Sequence, residues 1–373
     1  MIIILIVSFF IVFSYCLLMF VFINGWMRTE EYEVTKKEYE TKCSILIAAR
    51  NEAGQIENIL SDLIQQDYPR DLFEIIVIND HSTDNTSEVI RFFQQGSAIS
   101  LINLTEGKTG KKQALTEGII LSNGELILTV DADCRISKKW LSTIVNFYKQ
   151  TESSLIIGPV DFIQEKGFWN KIQNLEFLSL VGTSACATNN GQPFLCNGAN
   201  LAYRRKVFFE IEDPFTKNVS SGDDVFFLHK VKKIPEAKIN FIKHIDAVAY
   251  TKGTPNIKSF ISQRVRWASK SKQINDSESM IFIAIITTMN LLLVGLFIAS
   301  FTNAKFLFLF LACFGTKLIV DFAFFKQILT FFRKENLFKH IPATNFFYFI
   351  YFAVMMILSL VIKPKWKGRK VKV

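Results

Sequence analysis

Long apolar runs mark both ends of the chain. Ile2 to Ile23 has 22 residues without a charged side chain, and a helix of that length, at about 1.5 Å per residue, spans a hydrocarbon core of roughly 30 Å. The pattern predicts an N-terminal membrane anchor at residues 1–24 and about three transmembrane or interfacial helices at residues 280–362. The late apolar stretches are Met280–Ser300, Phe306–Phe325 and Ala343–Ile362.

A cleaved signal peptide is the alternative for the first run. The run has no basic segment before it, is longer than the apolar core of a signal peptide, and lacks a small-residue cleavage site before Asn24. These features favour an anchor that stays in the membrane.

Residues 41–279 carry the pattern of an α/β domain. An amphipathic repeat covers Ile56–Ile64, and a second helix starts near Asn85, which would cap it together with Glu88. Strand–helix alternation with short connections predicts a doubly wound, mostly parallel sheet, whose ligands bind beyond the carboxyl ends of the strands. A third helical segment carries Ala114, Leu115, Gly118 and Ile119 on one face. The apolar, β-rich runs are Cys43–Ala49, Phe73–Asn79, Ala98–Leu104 and Glu125–Asp131.

Composition agrees with a membrane component and argues against nucleic acid as a partner. The chain is 50% hydrophobic and contains 37 Phe, more than a soluble domain of this size needs. Six of the positive charges behind the net charge of +9 lie in the tail at residues 363–373, where anionic lipid headgroups are the better partner. The rest of the chain is too weakly basic for a nucleic-acid footprint.

Two smaller features concern buried side chains. Lys317 and Asp321 lie one helical turn apart in the third apolar stretch, so they can neutralise each other; a functional role is the alternative. The six cysteines show no Cys-x-x-Cys spacing, which indicates neither a zinc site nor a disulfide framework.

Polar and acidic residues directly follow three of the predicted strands. Glu52 comes after the first strand, Asp80 after the second, and Asp131 and Asp133 after the fourth. Carboxylates clustered at buried strand ends need a cation, a hydrogen-bond donor or water, because an unpaired buried charge is costly. Two acids spaced two apart suit a hard cation such as Mg²⁺ or Mn²⁺; an ordinary surface turn is the alternative.

Three motifs further along the chain each have an ordinary structural explanation. Gly198–Asn200 suits a turn, and Gly222–Asp224 suits the start of a helix. Gln263–Trp267 lies just before the second apolar stretch, where basic side chains often reach towards the bilayer surface.

Taken in order, these motifs resemble those of family 2 glycosyltransferases with the GT-A fold. The resemblance covers about residues 43–270 and is to the membrane-embedded branch, which includes ceramide glucosyltransferase-like enzymes and the hyaluronan, poly-N-acetylglucosamine and cellulose synthases. It implies a Rossmann-like GT-A catalytic domain with a mostly parallel sheet at residues 41–279, between the N-terminal and C-terminal transmembrane helices.

The resemblance implies donor and metal roles for the residues of the strand ends. Glu52 and Asp80 match positions that contact the nucleoside of a nucleotide-sugar donor, and Lys111 matches one near its diphosphate. Asp131 and Asp133 match the Asp-x-Asp pair that binds Mg²⁺ or Mn²⁺, with Asp133 as the direct ligand.

The resemblance also implies roles in catalysis and acceptor binding. Asp224 stands at the position of the catalytic base, with Asp223 before it. Gln263, Arg266 and Trp267 match the Gln-x-x-Arg-Trp signature, in which Trp flanks the acceptor sugar and Arg lies near the diphosphate.

Two residues depart from the pattern of that family. The family often has Asp-Asp after its second strand, whereas Asn79 precedes Asp80 here. Its Glu-Asp motif is Asp223-Asp224 in this chain, which leaves open which carboxylate is the base.

These features predict an inverting glycosyltransferase that moves a sugar from a nucleotide-sugar donor, by resemblance a UDP-sugar, to a membrane lipid or lipid-linked glycan. A processive polysaccharide synthase and a non-catalytic nucleotide-binding membrane protein are the alternatives. Nucleotide sugars are cytosolic, so the prediction places an integral protein in the plasma or inner membrane with its catalytic domain in the cytoplasm. The basic residues between the last two apolar stretches agree with this orientation, whereas the basic tail does not.

Overall fold

The structure, a computed structural model, describes residues 1–34, 39–95, 97–163, 166–216, 222–268 and 276–361, and the backbone of 365–366 and 369–370. The side chains of the predicted basic tail lie outside the described residues. The chain divides into two compact units, which we call the α/β unit and the helical unit. Of the described residues, those within Thr29–Gln164 and Pro193–Gly253 form the α/β unit, and those within Met1–Arg28, Glu165–Gln192 and Thr254–Val371 form the helical unit.

The α/β unit contains ten short strands and six helices among its described residues. The strands are β1 (Cys43–Ala49), β2 (Phe73–Asn79), β3 (Ile99–Asn103), β4 (Leu126–Val130), β5 (Arg135–Ile136), β6 (Leu155–Ile157), β7 (Val160–Phe162), β8 (Asn200–Arg204), β9 (Ile239–Phe241) and β10 (Ala249–Thr251). The helices are α2 (Ile56–Ile64), α3 (Thr86–Gln94), α4 (Lys111–Leu121), α5 (Trp140–Thr151), α7 (Arg205–Glu210) and α8 (Asp223–Val231).

The central sheet has seven strands in the order β3-β2-β1-β4-β8-β6-β9. Strands β1 to β4 run parallel to one another, β8 runs antiparallel to both of its neighbours, and β6 and β9 are parallel. A smaller sheet has the order β5-β10-β7. The prediction of an α/β fold with a mostly parallel sheet is confirmed.

The predicted helix faces account for the core beside the sheet. Ile56, Ile59, Leu60 and Leu63 of α2 are buried, as their spacing predicts. In α4, Gly118 packs against the sheet so closely that a Cβ atom there would stand 2.8 Å from Ile78 Cδ1. The predicted cap of α3 is wrong, because the Asn85 side chain makes no capping hydrogen bond. Asp84 takes that role, since its Oδ1 accepts from the Thr86 backbone N–H at 3.1 Å.

The helical unit collects segments from three parts of the chain. Four of its stretches are long and apolar enough to cross a membrane, and they match the predicted apolar stretches: Ile2–Arg28, Ser277–Ser300, Ala304–Phe331 and Glu335–Ser359. Its helices are α1 (Ile2–Arg28), α6 (Phe168–Asn189), α9 (Ile257–Ala268), α10 (Ser277–Ser300), α11 (Ala304–Phe331) and α12 (Ile341–Val361).

A buried polar cluster joins three of the apolar helices. Lys317 and Asp321 of α11 form the predicted ion pair, and their side chains are only 3% and 8% exposed. Tyr15 of α1 donates to Asp321 Oδ1 at 2.5 Å, and Lys317 Nζ donates to Asn345 Oδ1 of α12 at 2.7 Å. Both charges therefore have partners from neighbouring helices as well as from each other.

Candidate active site

The parallel strands bring their polar carboxyl ends to one edge of the central sheet. The β1–β2 register pairs Ala49 with Asn79, and the β2–β3 register pairs Asn79 with Asn103, so these strands end level. The end of β4 lies opposite the start of β8, since Val130 pairs with Asn200. The residues that follow β1, β2 and β4 and those that precede β8 therefore share one region, as the topology rule predicts.

Lys111 lies at the centre of this region. Its Nζ is 2.5 Å from Asp131 Oδ1, and both side chains are partly exposed, at 24% and 38%. Burial alone would lower the pKa of Lys111, but the nearby Asp131, Asp223 and Asp224 carboxylates raise it above its ordinary value. Lys111 is thus a permanent cation surrounded by three acids, two of which come from the start of α8.

Gly198 brings α8 next to Lys111. Its backbone N–H donates to Asp224 Oδ2 at 3.0 Å, and its carbonyl accepts from Thr129 Oγ1 at 3.1 Å. A Cβ atom on Gly198 would stand 3.3 Å from Lys111 Nζ, 3.4 Å from Asp224 Cβ and 3.5 Å from Asp223 Oδ2. The sequence indicated only a turn at this glycine, yet a side chain there would crowd the Lys111 ammonium group and would contact both acids.

Asp133 lies among like charges at the end of β4. Thr251 of β10 donates to its Oδ2 at 3.2 Å. Burial, together with the neighbouring Asp131 and Glu52 carboxylates, raises the pKa of Asp133 to about 6. A cation placed among these carboxylates would offset their mutual repulsion, so the residues present fit a divalent metal.

The described residues do not supply a complete metal-binding set by themselves. Across the described residues, there is no group of three or more His, Cys, Asp and Glu side chains that could hold a metal ion. Mg²⁺ in phosphate-handling sites is commonly bound by one or two carboxylates plus substrate phosphates and water. The Asp131–Asp133 pair fits this partial arrangement.

Asp80 holds the loop before α4. Its carboxylate is buried, with 1% of the residue exposed, and Oδ2 accepts from the Gly110 backbone N–H at 3.0 Å. Arg50 Nη1 donates to the Asp80 carbonyl at 2.7 Å and lies 3.9 Å from Asp80 Oδ1. Gly110 precedes Lys111 and has φ +96°, a conformation that favours glycine. The position of Lys111 therefore depends on an acid from the end of β2.

The Gln263–Trp267 segment lies on α9, which belongs to the helical unit. Within α9, Phe260, Arg264 and Val265 are buried, while Gln263, Arg266 and Trp267 are partly exposed. Arg264 pairs with Glu176 of α6. This buried pair was not predicted, because the two residues lie 88 positions apart in the chain. The position of Arg264 one turn after Phe260, on the buried side of α9, was the available signal.

Comparison with known proteins finds similarity to glycosyltransferases over part of this chain. A family model described as glycosyl transferase family 2 matches residues 44–211. The poly-beta-1,6-N-acetyl-D-glucosamine synthase of Staphylococcus epidermidis is 33% identical over 140 residues, which cover 37% of this chain and 33% of that protein. Glycosyltransferase AglE of Haloferax volcanii is 27% identical over 194 residues, covering 52% of this chain and 61% of AglE. The match to the first of these relatives thus spans about a third of its length.

A solved structure shares the fold of nearly the whole chain. The mannosyltransferase PcManGT of Pyrobaculum calidifontis, determined in complex with GDP-Man and Mn²⁺, is 18% identical, with a TM-score of 0.57. The likeness covers 92% of this chain and 97% of that one. It supports the predicted GT-A fold.

Proposed function

We propose that the protein transfers a sugar from a nucleotide-sugar donor to a membrane lipid or lipid-linked glycan. The match of residues 44–211 to the model of glycosyl transferase family 2 supports this proposal. The observation that carries the proposal is the convergence of Asp131, Asp223 and Asp224 on Lys111. The positive charge of Lys111 can bind a diphosphate leaving group. The neighbouring Asp131–Asp133 pair can bind a divalent cation that contacts the same group. A separate carboxylate close by suits proton removal from an acceptor hydroxyl.

Asp224 is proposed as the general base. The acceptor oxygen attacks the anomeric carbon while its proton passes to the Asp224 carboxylate, and the bond to the donor diphosphate breaks. General-base catalysis of this kind typically contributes about 10²–10⁴-fold. A single displacement with the base on the face opposite the leaving group inverts the anomeric carbon. The hydrogen bond from the Gly198 backbone N–H to Asp224 Oδ2 holds the carboxylate in one orientation.

Lys111 is proposed to bind the donor diphosphate. Its ammonium group offsets the negative charge that grows on the leaving diphosphate, in a site where fixed charges act without reorganisation. Asp133, with Asp131, would hold Mg²⁺ or Mn²⁺, which supplies Lewis-acid charge stabilisation when bound. Glu52 and Asp80 remain the proposed contacts of the donor nucleoside.

Gln263, Arg266 and Trp267 remain the proposed acceptor and diphosphate contacts, with the indole against the acceptor sugar. Four apolar stretches long enough to cross a membrane support an acceptor that resides in the bilayer. The orientation that follows has the catalytic domain in the cytoplasm, where nucleotide sugars occur. Resemblance supports a UDP-sugar donor, and GDP-sugars are the comparison to include in a donor panel.

The test is sugar transfer by membranes that contain the protein. Labelled nucleotide sugars are supplied, lipid and polymer fractions are extracted, and the released nucleotide is identified. Asp224→Asn is expected to lower kcat by at least about 10²-fold while donor binding is kept. Asp223→Asn, assayed in parallel, shows which carboxylate is the base. Glu152→Gln is the matched control, because this acid is exposed and its side chain pairs with Lys238. The change should leave transfer unchanged.

Three results would overturn the proposal. Full transfer by both Asp223→Asn and Asp224→Asn would show that neither carboxylate is the general base. Nucleotide binding without any sugar transfer, by wild-type protein given the whole donor panel, would favour a non-catalytic nucleotide-binding membrane protein. Release of pyrophosphate in place of a nucleoside diphosphate would indicate a nucleotidyltransferase.

A processive polysaccharide synthase is the second candidate. The observation in its favour is the 33% identity to a poly-beta-1,6-N-acetyl-D-glucosamine synthase over 140 residues. The same extraction separates the candidates by product size. Single sugars on a chloroform-soluble lipid support the first candidate, and a water-insoluble polymer of many units supports the second.

A further inference from the structure

Arg264 occupies a buried position in the segment between Gln263 and Trp267. It lies one helical turn after Phe260 on α9, and 4% of its side chain is exposed. A guanidinium group cannot lose its charge in a protein, so its burial requires a partner. The proposed acceptor contacts flank Arg264 directly in the chain, and the function just proposed does not use Arg264 itself.

Glu176 of α6 is the partner of that charge. Arg264 Nε donates to Glu176 Oε1 at 2.9 Å, and Nη2 donates to Glu176 Oε2. The Glu176 side chain is only 9% exposed. Two parallel hydrogen bonds between the guanidinium fork and the carboxylate fix the plane of the guanidinium group, which a single contact would leave free to rotate.

The fixed guanidinium plane contacts the two proposed acceptor residues beside it. Arg264 Cζ lies 4.2 Å from the centroid of the Trp267 ring and 4.6 Å from that of Phe260. Arg264 Nη1 donates to Gln263 Oε1 at 2.5 Å. One buried cation therefore covers part of the Trp267 indole and orients the Gln263 amide, while Glu176 holds the cation from a different helix.

We propose that Arg264, held by Glu176, is a positioning residue that sets the Trp267 indole and the Gln263 amide for the acceptor sugar. This inference rests on the proposed function, in which Trp267 and Gln263 meet the acceptor. An aromatic side chain binds a sugar more tightly when its ring is already held in the bound orientation. Binding then does not have to supply the free energy needed to order the side chain. Lysine would not serve, since it has neither the fork nor the flat face.

The energetics of buried ion pairs separate this role from a merely structural one. Removing one partner of a buried pair leaves an uncompensated charge, whereas replacing both partners by uncharged residues avoids that cost. A structural role predicts that stability and activity return together when both charges are removed. A positioning role predicts that stability returns and acceptor affinity does not, because Trp267 still lacks its guanidinium neighbour.

The experiment uses the full-length protein in detergent micelles, with Arg264→Lys, Glu176→Gln and the double variant Glu176→Gln/Arg264→Gln. Apparent Tm, donor KM, acceptor KM and tryptophan emission are measured for each. Lys258→Met is the matched control, because Lys258 is an exposed cation on the same helix. The double variant is expected to regain the wild-type Tm. The acceptor KM of the double variant and of Arg264→Lys should rise about tenfold, because both lose the flat guanidinium contact with the Trp267 ring. Donor KM should stay at the wild-type value in every variant, and Lys258→Met should change neither KM.

Trp267→Phe backgrounds show whether the effect passes through Trp267. Arg264→Lys should change tryptophan emission in the wild-type background and leave it unchanged with Trp267→Phe. Arg264→Lys and Trp267→Phe each raise the acceptor KM. When they are combined, the increase in binding free energy should be smaller than the sum of the two single effects, since both substitutions remove the same contact. An unchanged acceptor KM in Arg264→Lys, or an effect that adds fully to that of Trp267→Phe, would overturn the inference while transfer itself persists. Absence of wild-type transfer would overturn the proposed function instead, and the emission arm would still decide whether Arg264 acts on Trp267.

Discussion

At the residue scale, Gly198 controls how close the acids of α8 come to Lys111. Gly198→Ala places a Cβ atom 3.3 Å from Lys111 Nζ and 3.4 Å from Asp224 Cβ. The Lys111 ammonium group must then shift by a few tenths of an ångström, so we expect kcat/KM for the donor to fall about tenfold, ~1.4 kcal/mol in transition-state free energy. Steady-state transfer assays measure the change, and thermal unfolding checks that the fold is kept.

The control for that prediction is Gly54→Ala. A Cβ atom on Gly54 meets nothing within 4 Å, so the same chemical change there should leave kcat/KM within the error of wild type. Equal losses in the two variants, or wild-type activity in Gly198→Ala, would show that the close approach at Gly198 does not matter for transfer.

Sequence patterns predicted where the acidic side chains lie along the fold better than they predicted the contacts of those side chains. The positions of Asp131, Asp133 and Asp224 could be predicted, because each follows a recognisable apolar run or opens a helix. The Lys111–Asp131 ion pair and the bond from Gly198 to Asp224 could not. Such contacts depend on side-chain directions and on the register of β4 with β8, neither of which leaves a periodic signal along the chain.

At the element scale, the loops after β1 and β4 crowd three carboxylates together, those of Glu52, Asp131 and Asp133. A divalent cation would relieve the repulsion, so Asp133→Asn should remove the metal-dependent part of donor binding. We expect the donor Kd in Mn²⁺ to rise at least about tenfold and to equal the Kd that wild-type protein shows in chelator. Equilibrium dialysis with labelled nucleotide sugar, with and without chelator, measures both.

Asp71→Asn provides the comparison for the metal prediction, since Asp71 is an exposed acid elsewhere in the α/β unit. It should retain metal-dependent binding in full. Donor binding and transfer that persist unchanged in chelator would contradict the metal assignment, while leaving the family and the base untouched.

Strand length decided which elements could be predicted. The first four strands have five to seven residues and strong apolar runs, and all four were predicted within about one residue of their ends. The sheet β5-β10-β7 is built from strands of two or three residues, which are too short to show alternation. Its position matters, because β10 supplies Thr251 to Asp133.

At the scale of the whole molecule, each compact unit is built from segments that are separated along the chain. Apolar length predicted the four long stretches of the helical unit, because composition alone identifies a candidate span. Composition gave no sign that α6 and α9 group with them. Both helices are of mixed polarity and lie inside the segment with the α/β pattern, and their partner is set by tertiary contacts such as the Arg264–Glu176 pair.

The Tyr15–Asp321–Lys317–Asn345 cluster ties α1 to helices that lie about 300 positions later in the chain. Asp321→Asn leaves the buried Lys317 ammonium without its carboxylate, and we expect the helical unit to lose about 3 kcal/mol of stability, seen as a lower apparent Tm in detergent. Adding Lys317→Met removes the second charge, while the amide oxygen introduced by Asp321→Asn can still accept from Tyr15, so most of the loss should be recovered. The control is Thr288→Ala, a change of an exposed side chain on α10 whose hydroxyl group donates to carbonyls of its own helix. It should alter Tm little. A double variant as unstable as Asp321→Asn would show that the ion pair is needed for more than neutralising itself.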